Sequence, residues 1–107
     1  MTGIKSKPYL DLKSRNPDYI EAVEKLGQVA RNAGPLEEKV SHLIQLGASA
    51  AIRSEGAVHS HTRRALAAGA TKEEVRHALI LLTSTIGFPN VVAAMSWADD
   101  IFNNDAD

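Results

Sequence analysis

Cysteine is absent from all 107 residues. That absence removes disulfides, thiolate nucleophiles, iron–sulfur ligation and thiolate zinc sites together. Aromatic residues are scarce, at 5% of the chain, and the formal net charge is only -1. A chain with neither a basic field nor stacking surfaces is not built to hold nucleic acid or an anionic membrane. No apolar run reaches the roughly 20 residues that a membrane span requires. Residues 1–8 hold no apolar core of signal-peptide type, so a cytoplasmic location is the expectation.

What is present is a normal soluble balance, 44% hydrophobic and 23% charged, in a length that suits one core. Residues 1–15 are polar, contain Pro8 and show no helical period, which predicts an extended N-terminal arm. Asn16-Pro17 is a helix start, followed by Ile20, Val23, Leu26 and Ala30 at three- and four-residue steps. Gly34-Pro35 separates this helix from a second, predicted over about 36–53, whose apolar residues run nearly all round. A third is predicted over about 57–68 and ends at Gly69. Thr71-Lys72-Glu73-Glu74 has the form of a capping box and opens a fourth, running to about Ile86. After the turn at Gly87-Phe88-Pro89-Asn90, a fifth carries Val91 to Phe102. Residues 105–107 read as a frayed tail, and residues 16–104 as the domain.

The expected fold is therefore all-α, a single domain of about five helices. Three of them are apolar beyond one stripe, more than a chain of this length easily buries. The surplus predicts subunit interfaces and a homo-oligomer. The alternative is that the extra alanines simply tolerate exposure.

Candidate chemistry gathers at the junction of the second and third helices, in His42, Arg53, Ser54, Glu55, His59, His61, Arg63 and Arg64. Ala57, His61, Ala65 and Ala68 share one helix face, so His61 is expected to point to the apolar side while His59 and Arg63 point away. An imidazole there either serves as an acid or base near neutral pH or is a bonded structural residue. His59 and His61 diverge by about 200° on a helix, and no His-Glu-x-x-His occurs, so no metal site is expected. Arg53, Arg63 and Arg64 form a possible carboxylate-binding group beside His61, or pair with Glu55, Glu73 and Glu74. Glu55 is either a helix cap or a second acid–base group. Ser54 and His42 complete the candidate substrate-binding set. Trp97 reads as core, and Thr83-Ser84-Thr85 as hydroxyls that either bond back to their helix or line a cavity.

The stretch from His61 through Ala65-Leu66, Gly69-Ala70-Thr71 and Glu73-Glu74 to Val75 resembles the core of the carboxymuconolactone decarboxylase and alkylhydroperoxidase D-like superfamily. Leu36 to Ile44, leading into an alanine-rich helix, and Gly87-Phe88-Pro89 followed by Ala93-Ala94 are similar to neighbouring family segments. The resemblance covers about residues 36–98. It implies an all-α fold, a trimer or hexamer, and an active region around the helix that carries the histidine. Ser54 and Ala57 stand where the peroxidase branch has its two cysteines. His42 stands at the family's upstream glutamate, and Gly56 at the histidine between the cysteines. A hydroxyl is neither acidic enough nor redox active, so thiol peroxidase activity is excluded. In the decarboxylase branch a glutamate is expected four residues before the histidine; here that position is Ala57.

Two readings follow. One is a cofactor-free lyase or isomerase of a small carboxylated, lactone-type metabolite. His61 transfers the proton, Glu55 assists, and Arg53, Arg63 or Arg64 binds carboxylate. The other is a non-catalytic oligomeric or ligand-binding module that keeps the family fold. A catalytic His61 should be reachable and flanked by a cation; a structural one should be sealed and bonded to backbone.

Overall fold

The computed structural model describes residues 7–104, which form helices and connecting turns only. In chain order these are α1 (Lys7–Arg15), α2 (Pro17–Arg31), α3 (Glu38–Ala51), α4 (Glu55–Ala67), α5 (Lys72–Ile80), the single turn α6 (Thr83–Ile86) and α7 (Phe88–Asn104). The all-α class expected from the periodicity is the one observed.

The core is built from α3, α4, α5 and α7. Leu46 and Ala50 of α3 meet Val58 and Ala65 of α4, Val75 and Leu79 of α5, and Ala94, Ala98 and Phe102 of α7. Alanines at the crossings let the helix backbones approach closely. The few large side chains fill what remains, each stabilising the fold by about 1.5–3 kcal/mol through burial. Trp97 packs against this core from a half-buried position, as expected. α4 lies between α3 on one side and α7 on the other, and this decides where its polar residues go.

Helix ends are set by local chemistry. Thr71 Oγ1 accepts from the Glu74 amide at 3.0 Å, and the Glu74 carboxylate accepts from the Thr71 amide at 2.9 Å, which is the predicted capping box. α4 ends in a Schellman motif: the Ala70 amide reaches the Ala65 carbonyl at 2.9 Å, and Gly69 adopts φ +101° between them. α3 ends the same way without a glycine. The Ser54 amide bonds to the Ser49 carbonyl at 3.0 Å, and Arg53 takes the left-handed position at φ +56°.

Several boundaries differ from expectation. Residues 7–15 are helical, not extended. Pro8 sits in the first turn, where its missing amide costs nothing, and Lys13 and Arg15 sit in the last, where the dipole favours them. α1 buries none of its residues and pairs with α2 through Tyr9 to Glu24 and Lys13 to Glu24, so no apolar period announced it. The remainder of the predicted arm, residues 1–6, and the predicted frayed tail, 105–107, lie outside the described residues. The break before α4 falls at Arg53–Ser54, and Gly56 is helical. The predicted fourth helix is two: α5 stops at Ile80, and Leu81-Leu82 turn the chain into α6. There Thr83 Oγ1 bonds back to the Ile80 carbonyl at 2.7 Å.

Among the described residues no helix is long and apolar enough to cross a membrane. Much apolar surface is left uncovered by the single chain, including Leu26 on α2, Ile44 on α3, Ile80, Leu81, Phe88 and Val92.

Candidate functional site

His42 and His61 meet between α3 and α4. Their Nδ1 atoms are 3.3 Å apart, with ring centroids at 5.5 Å and planes inclined by 34°. His42 is buried and His61 is partly exposed. An Nδ1···Nδ1 hydrogen bond between neutral imidazoles requires one ring to donate and the other to accept. The donor ring then keeps a lone pair on Nε2, and the acceptor ring keeps a proton on Nε2. One base and one donor are thus held together in a fixed geometry.

The pair is kept neutral. Burial is the main cause that pushes His61 down to about 4, followed by repulsion from His42, Arg64, Arg31 and Arg63. His42 is lowered too, by burial first and then by Arg31 and Arg64, with Glu38 acting in the opposite direction. Three arginines from two helices therefore place a positive potential on two uncharged imidazoles. An anion entering there would offset that repulsion and stabilise an imidazolium.

Arg31 is the residue that the sequence reading missed. It closes α2, and it also lines a groove of about 360 Å³ between α2 and α3, with Gly27, Ala30, Leu36, Ser41 and Gln45. Ser41 and Gln45 form one edge of that groove, where Gln45 Nε2 donates to Ser41 Oγ at 3.1 Å. The only sequence signal for Arg31 is a basic residue just before the Gly34-Pro35 break, which reads equally well as a C-terminal dipole partner.

The remaining candidates separate. Arg63 and Arg64 act on His61 as described. Arg53 is exposed and donates to Asn90 Oδ1 of α7, and it is not among the charges that act on His61. Ser54 is the N-cap of α4, its Oγ accepting from the Ala57 amide at 3.3 Å. Glu55 does not cap α4, and it does not face His61. Six residues before His61 on a helix, it points about 120° away, and its Oε2 lies 4.0 Å from His59 Nε2. His59 does not point to solvent. Its side chain is 13% exposed, and Nε2 lies 3.0 Å from Asp100 Oδ2 on α7. The divergence by two residues is as expected, but both directions meet a neighbouring helix, because α4 is packed on two sides.

His61 is not sealed against the backbone. The ring is partly exposed, its hydrogen-bond partner is a side chain and not the backbone, and the charges of Arg64, Arg31 and Arg63 act on it.

The carboxymuconolactone decarboxylase family profile matches residues 17–100, a span that takes in α2 through most of α7 and with them Arg31, His42, His61 and Arg64. A protein of Methanocaldococcus jannaschii, the uncharacterized protein MJ1511, is 29% identical over 84 residues, covering 78% of each chain. The matched span covers most of the chain, and the chain belongs to the carboxymuconolactone decarboxylase family.

Proposed function

We propose that this protein is a lyase or isomerase of a small carboxylated metabolite, with the His42–His61 pair moving the proton. The observation that carries this reading is the hydrogen-bonded imidazole pair on which the charges of Arg31 and Arg64 act. Decarboxylation leaves an electron pair on carbon that must receive a proton, and isomerisation removes a proton and returns it elsewhere. Both need a neutral base and a donor near the reacting carbon, and a cation for the substrate carboxylate. His61, the more exposed ring, faces the substrate in this reading. His42 orients it and carries the complementary tautomer. Arg31 and Arg64 hold the carboxylate, and the groove beside Arg31 takes the apolar remainder. Glu55 and Arg53 have no part in it.

Thiol peroxidase chemistry is absent because the chain has no thiol. The competing reading, an oligomeric binding module without catalysis, keeps the arginines and the groove but gives the histidine pair only a packing role.

The test is a panel of small mono- and dicarboxylates, lactones among them, followed by NMR of the histidine and arginine side chains. Turnover in deuterated water is measured in parallel. The expected result is a ligand that perturbs His61 and Arg31 together and whose product carries solvent deuterium. Both effects are lost in His61→Ala. Binding without deuterium incorporation for every ligand would leave the module reading standing instead.

The same reading includes a homo-oligomer in a cytoplasmic setting. The apolar residues left open on α3 and at Leu81 border a groove of about 510 Å³ lined by Val40, Leu43, Ile44, Gly47, Ala78 and Leu82, among others. We assign its cover to further copies of this chain. Light scattering of the purified protein should give a trimer or a hexamer.

A further inference from the structure

We propose that Glu55, His59 and Asp100 bind a divalent first-row transition ion at the surface where α4 meets α7. The site lies on the other side of α4 from the histidine pair and is independent of it.

Glu55 and His59 are four residues apart on α4, so they share a face. Asp100 comes from α7. One ligand atom from each of the three falls within 4.8 Å of the others. His59 Nε2 is 3.0 Å from Asp100 Oδ2 and 4.0 Å from Glu55 Oε2. Ligand atoms held at about 2.0–2.2 Å from one ion sit roughly 3–3.5 Å apart. The His59–Asp100 edge already meets that requirement. Glu55 must close by roughly 1–2 Å, and its side chain is 58% exposed and has room to do so. The imidazole, by contrast, is held by packing, which supplies the fixed ligand around which the carboxylates adjust.

Charge and donor type agree. Two carboxylates and a neutral imidazole offset the two charges of the ion. One nitrogen and two oxygens suit zinc, cobalt, nickel or manganese, whereas calcium and magnesium prefer oxygen alone and copper(I) prefers sulfur. Both carboxylates are open to solvent, so the remaining coordination positions fall to water or to an external ligand. Bound there, the ion would tie the start of α4 to α7 with three bonds in place of one charge-assisted hydrogen bond.

The histidine spacing hid this site. His59 and His61 diverge, and no carboxylate lies four residues after either. The carboxylates come from four residues before His59 and from a helix 41 positions on.

The probe is Co²⁺ added to chelator-stripped, full-length protein, followed by visible absorption and by paramagnetic broadening in NMR spectra. One ion per chain is expected, with broadening centred on His59 and Asp100 and not on His42, His61 or His77. Glu55→Gln and Asp100→Asn should each weaken binding about tenfold or more. Both positions are exposed, and metal-free melting curves establish that the variants fold. No uptake, uptake that neither variant weakens, or broadening centred on the His42–His61 pair would each overturn the assignment.

Discussion

His42 and His61 share an Nδ1···Nδ1 contact of 3.3 Å across α3 and α4, and neither can be protonated without disturbing the other. The same contact makes the fold sensitive to acid. His61 is lowered from 6.5 to about 4, and His42 is lowered as well. Well above pH 6.5 both rings are neutral whether the chain is folded or not, and they add no pH dependence. As pH falls below 6.5 the unfolded chain takes up protons that the folded chain refuses, so stability declines. The decline from His61 levels off near pH 4, where the folded state also binds its proton. Melting temperatures of chelated, metal-free protein should fall between pH 6.5 and 4. A His42→Gln/His61→Gln double variant should fall less over that window. Parallel curves would show that the pair is not the source.

Arg53 holds a left-handed backbone conformation that glycine adopts freely. Arg53→Gly relieves about 1 kcal/mol of strain and gives up an exposed hydrogen bond to Asn90. Chemical denaturation should show a variant at least as stable as the parent, with ligand binding at the His42–His61 site unchanged. A loss of binding would return Arg53 to the carboxylate-binding role expected from sequence.

Gly69 is the converse case. A Cβ there meets nothing within 4 Å, so Gly69→Ala tests backbone strain without steric conflict. At φ +101° the substitution should cost about 1 kcal/mol. A neutral result in denaturant unfolding would mean that the end of α4 relaxes to another conformation.

The start of α5 rests on reciprocal bonds between Thr71 and Glu74, and Glu74 also accepts from Lys39 of α3 at 3.3 Å. Thr71→Ala should cost about 1 kcal/mol in equilibrium unfolding. The Thr71 amide and Lys39 hold the Glu74 carboxyl below its ordinary 4.5. Its contribution is therefore present above that pH and lost as acid carries the pH through the lowered value. An unchanged unfolding midpoint for Thr71→Ala would show that packing of Val75 and Leu79 alone fixes the helix start.

Thr62 is fully buried on α4, and its hydroxyl has no hydrogen-bond partner among the described residues. Thr62→Val removes an unpaired polar group at nearly constant shape, so the variant should be equally or more stable. A marked loss of stability would reveal a partner for that hydroxyl.

Sequence alone determined the helical class, the capping box, the absence of thiol chemistry and the family, because each is written in local patterns. Periodicity reports which face of a helix seeks cover, and Thr71 and Glu74 are close enough in the chain to find each other unaided. Sequence also marked His42, His61 and Arg64 as candidates. It set Arg64 beside His61 but did not join His42 to them, and it attached Glu55 and Arg53 to other neighbours than those the fold gives them. Tertiary structure decided those matters, because a helix packed on two sides turns residues two apart toward different partners. His61 meets α3, and His59 meets α7. Arg31 reaches the site only because the loop after α2 brings that helix's end alongside α3. No spacing within one helix encodes such a crossing; it is fixed by the alanine-lined contacts between helices, which only the packed fold displays.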